Sequence, residues 1–228
     1  MCSSSRLKSK TKNLKISLAA MVELLEESYK YIFSIGALEA AGLIFGLLCV
    51  YYLIKNNILT WPTGITYIFI SFVIFWQEQL YGDFLLHIIF LILNIYGWYH
   101  WVYGKNDKKE KVKIEWLSFK LNLFYCFIGI ISFIVFGYFL SHVHIIWPNL
   151  KPASVPYWDA ATTALSFVGM WLTARKKVEN WFYWGIVDIL AVGIYFYKGI
   201  YFYALLYFVY IGLAVAGYIK WKKLAEEN

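Results

Sequence analysis

The chain has 228 residues, of which 61% are hydrophobic, 21% aromatic and only 15% charged. Soluble domains run nearer half apolar and a quarter charged, so this sequence has too few polar residues to make a water-facing surface, and the bilayer is its solvent. The net charge of +7 comes from basic residues that punctuate apolar runs rather than form one patch, which speaks for membrane orientation and against nucleic-acid binding.

Residues 1–13 are rich in Ser and Lys and read as a mobile tail with no signal-peptide core. From Leu14 to Tyr29 the positions Leu14, Leu18, Met21, Val22, Leu25 and Tyr29 recur at helical spacing, with Lys15, Glu23, Glu26 and Glu27 largely on the other sides. The pattern fits an amphipathic helix on the membrane surface or a cap over the bundle. Seven segments then approach the roughly 20 apolar residues that a spanning helix needs: 31–54, 60–77, 80–103, 117–140, 157–175, 181–198 and 200–221. Two connections, Gln77–Glu78–Gln79 and Lys198–Gly199, must be tight hairpins. Cys2, Cys49 and Cys126 form no CxxC pair, and His142 with His144 lacks a third ligand, so neither a metal nor a cofactor is expected.

Seven spans put the termini on opposite sides. The side of the C-terminus holds Lys55, Lys105, Lys108, Lys109, Lys111, Lys113, Arg175, Lys176, Lys177, Lys220, Lys222 and Lys223. The other side, apart from the basic N-terminal tail, holds only Lys151 and Lys198. By the positive-inside rule the C-terminus is cytoplasmic and the N-terminus outside, in a multi-pass protein of the inner (plasma) membrane.

A shift of 120 residues lays the first three spans on the last three without a gap. Glu39-Ala40-Ala41 falls on Asp159-Ala160-Ala161, Trp61 on Trp181, Tyr81 on Tyr201, Gly97 on Gly217 and Trp101 on Trp221. Self-similarity at a fixed period marks repeated units. A three-helix unit leaves the chain on the far side, so the fourth helix must cross once more for the second copy to share the orientation of the first. The expected fold is therefore an all-α membrane protein of seven transmembrane helices, two parallel three-helix repeats joined by a linker helix (3+1+3). Its parts are the tail and interfacial helix (1–30), the first repeat (31–103), a basic loop and linker helix (104–140), a loop and second repeat (141–221) and a cytoplasmic tail (222–228). Parallel repeats are a transporter arrangement with the substrate near the midplane.

Polar groups at bilayer depth each need a reason. Trp181, Trp184 and Asp188 stand at i, i+3 and i+7, with Tyr195 two turns on, so two indoles and a carboxylate share a face. That set suits a flat cationic ring; an interface anchor at Trp181 and an interhelical bond at Asp188 would also satisfy it. At the shifted positions of Trp184 and Asp188 stand Gly64 and Ile68, so only one copy carries this chemistry. The third span aligns Asp83, His87, Asn94, Trp98 and Trp101, and the seventh aligns Tyr203, Tyr207, Ala214, Tyr218 and Trp221. Facing stripes can line a pathway, with Asn94 and Trp98 in contact and gating roles and Trp101, Tyr207, Tyr218 and Trp221 along it, or they can join helices to each other. Glu39 and Asp159, present in both copies, lean to a structural role, and Gly42, Gly46 and Ala41 permit close packing. No HExxH, GxSxG or GxxxxGK[ST] occurs, so neither an intramembrane enzyme nor direct ATP coupling is expected. No mid-helix lysine of the seventh span suits a retinal Schiff base. A channel differs from a carrier in that its flux would not saturate.

Asn94-Ile95-Tyr96-Gly97-Trp98-Tyr99-His100-Trp101 and Glu179-Asn180-Trp181-Phe182-Tyr183-Trp184-Gly185-Ile186-Val187-Asp188, with Trp76 to Gly82 and Pro156-Tyr157-Trp158-Asp159, resemble the PnuC family of nicotinamide riboside transporters and their relatives for thiamine and other vitamins. The resemblance spans about residues 35–222. It implies a SWEET-like 3+1+3 fold, a homotrimer, and facilitated diffusion of a cationic aromatic vitamin that a cytoplasmic kinase then traps by phosphorylation. Trp181, Trp184 and Asp188 are implicated in substrate binding, with Asn94 and Trp98 on the pathway. Nicotinamide riboside members often carry Asn where this chain has Asp188. Nicotinamide riboside and thiamine, both flat and cationic, thus remain the two candidates, the first preferred.

Overall fold

The computed structural model describes residues 36–77, 81–105, 112–146 and 155–227, together with Val22, Leu25, Glu26, Tyr29 and Lys30. The tail at 1–13, most of the amphipathic helix, Glu78 and Gln79 of the tight connection, Lys108, Lys109, Lys111, Lys151 and the side chains of Asp83 and His144 lie outside the described residues. Val22, Leu25, Glu26, Tyr29 and Lys30 are helical and exposed.

From Gly36 onward the described residues form seven helices and no sheet: α1 (Ala37–Ile54), α2 (Thr60–Gln77), α3 (Tyr81–Tyr103), α4 (Phe119–Ile146), α5 (Pro156–Ala174), α6 (Asn180–Tyr197) and α7 (Tyr201–Glu226). Two run past the expected ends. α4 continues six residues beyond 140, and α7 carries five residues of the expected tail. Lys222–Glu226 and Lys223–Glu227 pairs, at 4.0 and 3.8 Å, lie along the last turns of α7. By length and apolarity alone, Ala37–Ile54, Phe119–His142 and Tyr201–Glu226 are the helices among the described residues able to cross a membrane. α2, α5 and α6 exchange much of their Leu and Ile for Trp, Tyr, Thr and isolated polar groups, which lowers their hydropathy without giving them a polar face.

Three helices end in the same way. After α1, Asn56 takes φ +50°, its N–H reaching the Leu53 carbonyl at 2.9 Å and that of Asn57 reaching Tyr52 at 2.9 Å. After α5, Lys176 takes φ +54°, with Lys176 N–H on Thr173 at 3.0 Å and Lys177 N–H on Leu172 at 2.9 Å. Gly199, φ +70°, closes α6 by the same pair of bonds to Phe196 and Tyr195. This is the Schellman motif, which turns the chain back while satisfying two terminal carbonyls. Glycine takes the left-handed conformation freely, whereas Lys176 pays about 1–2 kcal/mol for it. Its ammonium sits 4.3 Å from the centroid of Trp101, a compensating cation–π contact.

Helix packing closes a ring. α1 lies on α2, α2 on α3, α3 on α5, α5 on α6, α6 on α7 and α7 back on α1, while α4 lies outside the ring, packed mainly on α5 and reaching Tyr183 of α6 through Cys126. The Trp171 indole N–H donates to the Tyr125 hydroxyl at 2.9 Å between α5 and α4. At one end of the ring four buried tryptophans meet: Trp61 with Trp101 at 5.2 Å and Trp181 with Trp221 at 5.6 Å, both edge to face, and Trp101 with Trp221 at 6.1 Å, tilted by 46°. Trp61 lies against the Cα of Gly97, and Trp181 against that of Gly217, places where no Cβ fits. Trp101 donates its N–H to the Thr173 carbonyl at 3.3 Å, and Trp221 to the Leu53 carbonyl at 2.9 Å. Those carbonyls belong to the Schellman turns after α1 and α5, so the ends of α1, α3, α5 and α7 are tied together, with Lys55, Arg175, Lys176 and Lys177 beside them. The segment before α4 closes over this end: Ile114 is buried in the tryptophan cluster, and Glu115 bridges Lys176 and Val178 through its backbone.

Candidate functional site

The ring encloses a cavity of about 310 Å³. Trp61 and Trp181 form its floor on the tryptophan cluster, and both indole N–H groups are buried without a protein partner among the described residues. Above them stand Trp184, Asn94, Thr60, Cys49 and Thr173, then Asp188, His87, Tyr67, Tyr207 and Tyr210.

Each wall has a physical support. Trp184 comes from the first turns of α6, its indole N–H donating to the Thr173 hydroxyl at 3.0 Å. Its ring crosses Gly169, where an added Cβ would lie 3.3 Å from the indole. Asn94 donates to the Phe90 carbonyl at 2.9 Å, one turn back on α3, and its Oδ1 stands over Gly64, 2.7 Å from where a Cβ would be. Cys49 and Thr60 join α1 to α2, the threonine hydroxyl donating to the Cys49 carbonyl at 2.9 Å. Gly46 leaves room for the Tyr210 hydroxyl and the Tyr67 ring. Tyr207 is held by a stack, with Tyr195 5.3 Å from it and Tyr203 5.2 Å beyond. The His87 ring sits among Phe75, Phe90 and Tyr67, with centroids 4.7, 5.6 and 6.2 Å away.

Asp188 is the telling group. It is 7% exposed and lines the cavity, and the described residues offer its carboxylate neither a hydrogen bond nor an ion pair. A buried carboxylate without a partner is costly, so this position favours a ligand that brings a positive charge or hydrogen-bond donors. With Trp184 beside it, the cavity offers an aromatic face, a carboxylate and an amide to one small molecule.

Of the residues singled out in the sequence, Asn94, Trp181, Trp184, Asp188 and Tyr207 come together here. Tyr195 stands one ring behind, through Tyr207. Trp98 does not line the cavity and is 39% exposed. Trp101 and Trp221 are sealed in the core with their N–H groups committed to carbonyls, and Tyr218 packs on Trp116 and Phe182. Ser166, Thr173, Cys49, Thr60, Tyr67 and Tyr210 also line the cavity without having been singled out. Ser166 and Thr173 stand at i and i+7 of α5, a small-polar spacing that marks an inward face. Thr60 and Tyr67 stand at the same spacing on α2, and Tyr210 lies three residues after Tyr207 on α7, whereas Cys49 has no such signal.

A closed ring of apolar helices around a small, mixed aromatic and polar cavity is the architecture of a membrane transporter for a small molecule. The chain belongs to the nicotinamide mononucleotide transporter family, whose profile matches residues 36–223. It is 30% identical over 213 residues to the nicotinamide riboside transporter PnuC of Escherichia coli, covering 86% of this chain and 89% of that protein. The nicotinamide riboside transporter PnuC of Neisseria mucosa is 25% identical over 202 residues, covering 84% and 74%. The riboflavin/roseoflavin transporter RibM of Streptomyces davaonensis is 25% identical over 191 residues, covering 80% and 83%. A crystal structure of the vitamin B3 transporter PnuC shares the fold, with a TM-score of 0.64, 21% identity and 92% of each chain covered.

Proposed function

We propose that this protein carries nicotinamide riboside across the cell membrane by facilitated diffusion, with the ring held between Trp184 and Asp188. The buried carboxylate carries the reading, because it suits a ligand that brings a fixed positive charge on a flat ring. The names of the two PnuC relatives, at 30% and 25% identity, support the same substrate. A cation entering a negative-inside cell gains about 2.3 kcal/mol per 100 mV, enough to drive uptake without a coupling ion; phosphorylation by a cytoplasmic kinase would then retain it.

The proposed architecture is two parallel three-helix repeats with α4 as linker, seven spans and the C-terminus in the cytoplasm. What supports it is the pairing of residues 120 apart. Trp101 bonds Thr173 and Trp221 bonds Leu53, so each indole meets the positional counterpart of the other's acceptor. Apart from Cys49 and Thr60, every cavity-lining residue pairs with another at this spacing, as in Gly46 with Ser166, His87 with Tyr207 and Asn94 with Ala214. The cavity thus lies on the axis relating the proposed repeats. The basic residues gathered at the tryptophan end favour that end as cytoplasmic. The outward apolar face of α4, with Phe127, Ile130 and Ile134 exposed, suits lipid or a homotrimer.

The test is uptake by proteoliposomes. Radiolabelled nicotinamide riboside should enter saturably, be blocked by unlabelled compound, and accumulate further under an inside-negative potential. Linear, uncompeted flux would indicate a channel. A relative named for riboflavin and roseoflavin favours a second reading, another B vitamin. Preferential competition by thiamine or riboflavin over nicotinamide riboside would establish it.

A further inference from the structure

Resting on the reading of Trp184 as the ring-stacking wall, we propose that Thr173 is a positioning residue for substrate, whose hydroxyl fixes the edge of the Trp184 indole so that its face stays at the cavity. The Thr173 hydroxyl has one hydrogen and two lone pairs. Its hydrogen goes to the Gly169 carbonyl at 2.9 Å, with Asn180 Oδ1 further off at 3.3 Å. That leaves a lone pair turned to the indole N–H of Trp184, 3.0 Å away. Gly169 and Thr173, one turn apart on α5, thus set the ring in two ways: the glycine lets it lie close, and the hydroxyl stops it turning.

A threonine that bonds the carbonyl four residues back is ordinary in a helix, and that bond alone would ask nothing of Trp184. The chain supplies its own comparison. Leu53, 120 residues earlier, makes the same Schellman turn and accepts the same kind of tryptophan bond on its carbonyl, so the backbone job needs no hydroxyl. The counterpart of Trp184 is Gly64, which has no N–H in the side chain to satisfy. Hydroxyl and indole occur together where the ring occurs and are both absent where it is not. Asn180 holds Thr173 from the other side; it is fully buried and donates to the Lys177 carbonyl at 2.6 Å.

The experiment is calorimetric titration of nicotinamide riboside into the purified full chain. Thr173→Val keeps the shape and removes the acceptor, and it should weaken binding about tenfold, the effect of one buried hydrogen bond. Thr173→Ser keeps the hydroxyl and should stay within about twofold of wild type. In a Trp184→Phe background, where no N–H remains to be fixed, Thr173→Val should add nothing. Wild-type affinity in Thr173→Val, equal losses in the Val and Ser variants, or an undiminished Val effect beside Trp184→Phe would each overturn the assignment. If the Val variant does not purify, Thr173→Ala lacks the same acceptor and is read in the same way. Unchanged affinity in Trp184→Phe itself would instead overturn the reading of Trp184, and this inference with it.

Discussion

Trp221 donates its indole N–H to the carbonyl of Leu53 at 2.9 Å, joining residues 168 apart in the chain. The last helix is thereby locked to the end of the first and the ring is closed. Trp101 does the same for α3 and α5 through Thr173. Both bonds are buried, and both acceptors also take a backbone N–H from the turn that follows their helix. Closure at this end depends on backbone carbonyls, which any residue supplies, and on indoles, which only tryptophan supplies.

The indoles need space at the helix crossings. Gly217→Ala would place a methyl against the ring of Trp181, which is buried and packed edge to face on Trp221. A loss of about 1–3 kcal/mol is expected, seen as a lower unfolding temperature of the detergent-solubilised protein. Gly212→Ala, on the same helix with open space at its Cβ, should leave that temperature unchanged or slightly raised. Equal behaviour of the two variants would contradict the packing argument.

Gly64→Ala tests the opposite wall. Its methyl would meet Asn94 Oδ1 and, at 3.2 Å, Cys49 Sγ, so the amide must swing into the cavity. We expect nicotinamide riboside to bind about tenfold more weakly, the effect of one misplaced hydrogen-bonding group, while the melting temperature changes little. Calorimetry and thermal unfolding on the same preparation separate the two effects.

Asp188→Ala should weaken binding by about 1.5–3 kcal/mol, the range for a charged hydrogen-bonding group. Because its removal strands no partner among the described residues, the variant should fold at least as stably as wild type. Asp188→Asn keeps the shape and drops the charge, so its discrimination between nicotinamide riboside and a neutral analogue should fall. An Asn variant that still prefers the cation as strongly as wild type would remove charge from the account.

Two acids anchor the segment before α4, and they should differ. Glu179 is buried and accepts the Leu117 N–H at 2.9 Å, whereas Glu115 pairs with Lys177 at 2.9 Å while half exposed. Glu179→Ala leaves a backbone donor unsatisfied, about 1–3 kcal/mol. Glu115→Ala loses a solvent-screened pair worth about 1 kcal/mol or less. Hydrogen exchange over 113–118 should rise strongly in the first variant and little in the second.

Helix number, the positions of the connections and the 120-residue spacing were legible because apolar runs and rare Trp and Gly coincidences are one-dimensional signals. Trp184 and Asp188 were legible because helical spacing fixes a shared face. Trp98 shows the limit. It stands with Asn94 at i, i+4, yet Asn94 lines the cavity and Trp98 is 39% exposed: spacing shows which residues share a face, not how far along the helix the cavity extends. Trp101 and Trp221 show another: an aromatic stripe looks the same whether it borders a pathway or fills a core.

The sequence by itself determined that the chain lives in a membrane, that residues recur in it at a shift of 120, and that of the paired positions only the later ones hold Trp184 and Asp188. These follow from composition and periodicity, which are local. Tertiary structure decided which aromatics became floor, wall or core, left Asp188 without a partner among the described residues, and brought Thr173 of α5 to the edge of Trp184 on α6. Those outcomes depend on how α5, α6 and α7 rotate against one another, and that rotation is set by side-chain volumes across helix crossings: Gly169 beneath Trp184, Gly217 beneath Trp181. No single helix's residue spacing encodes such a pairing.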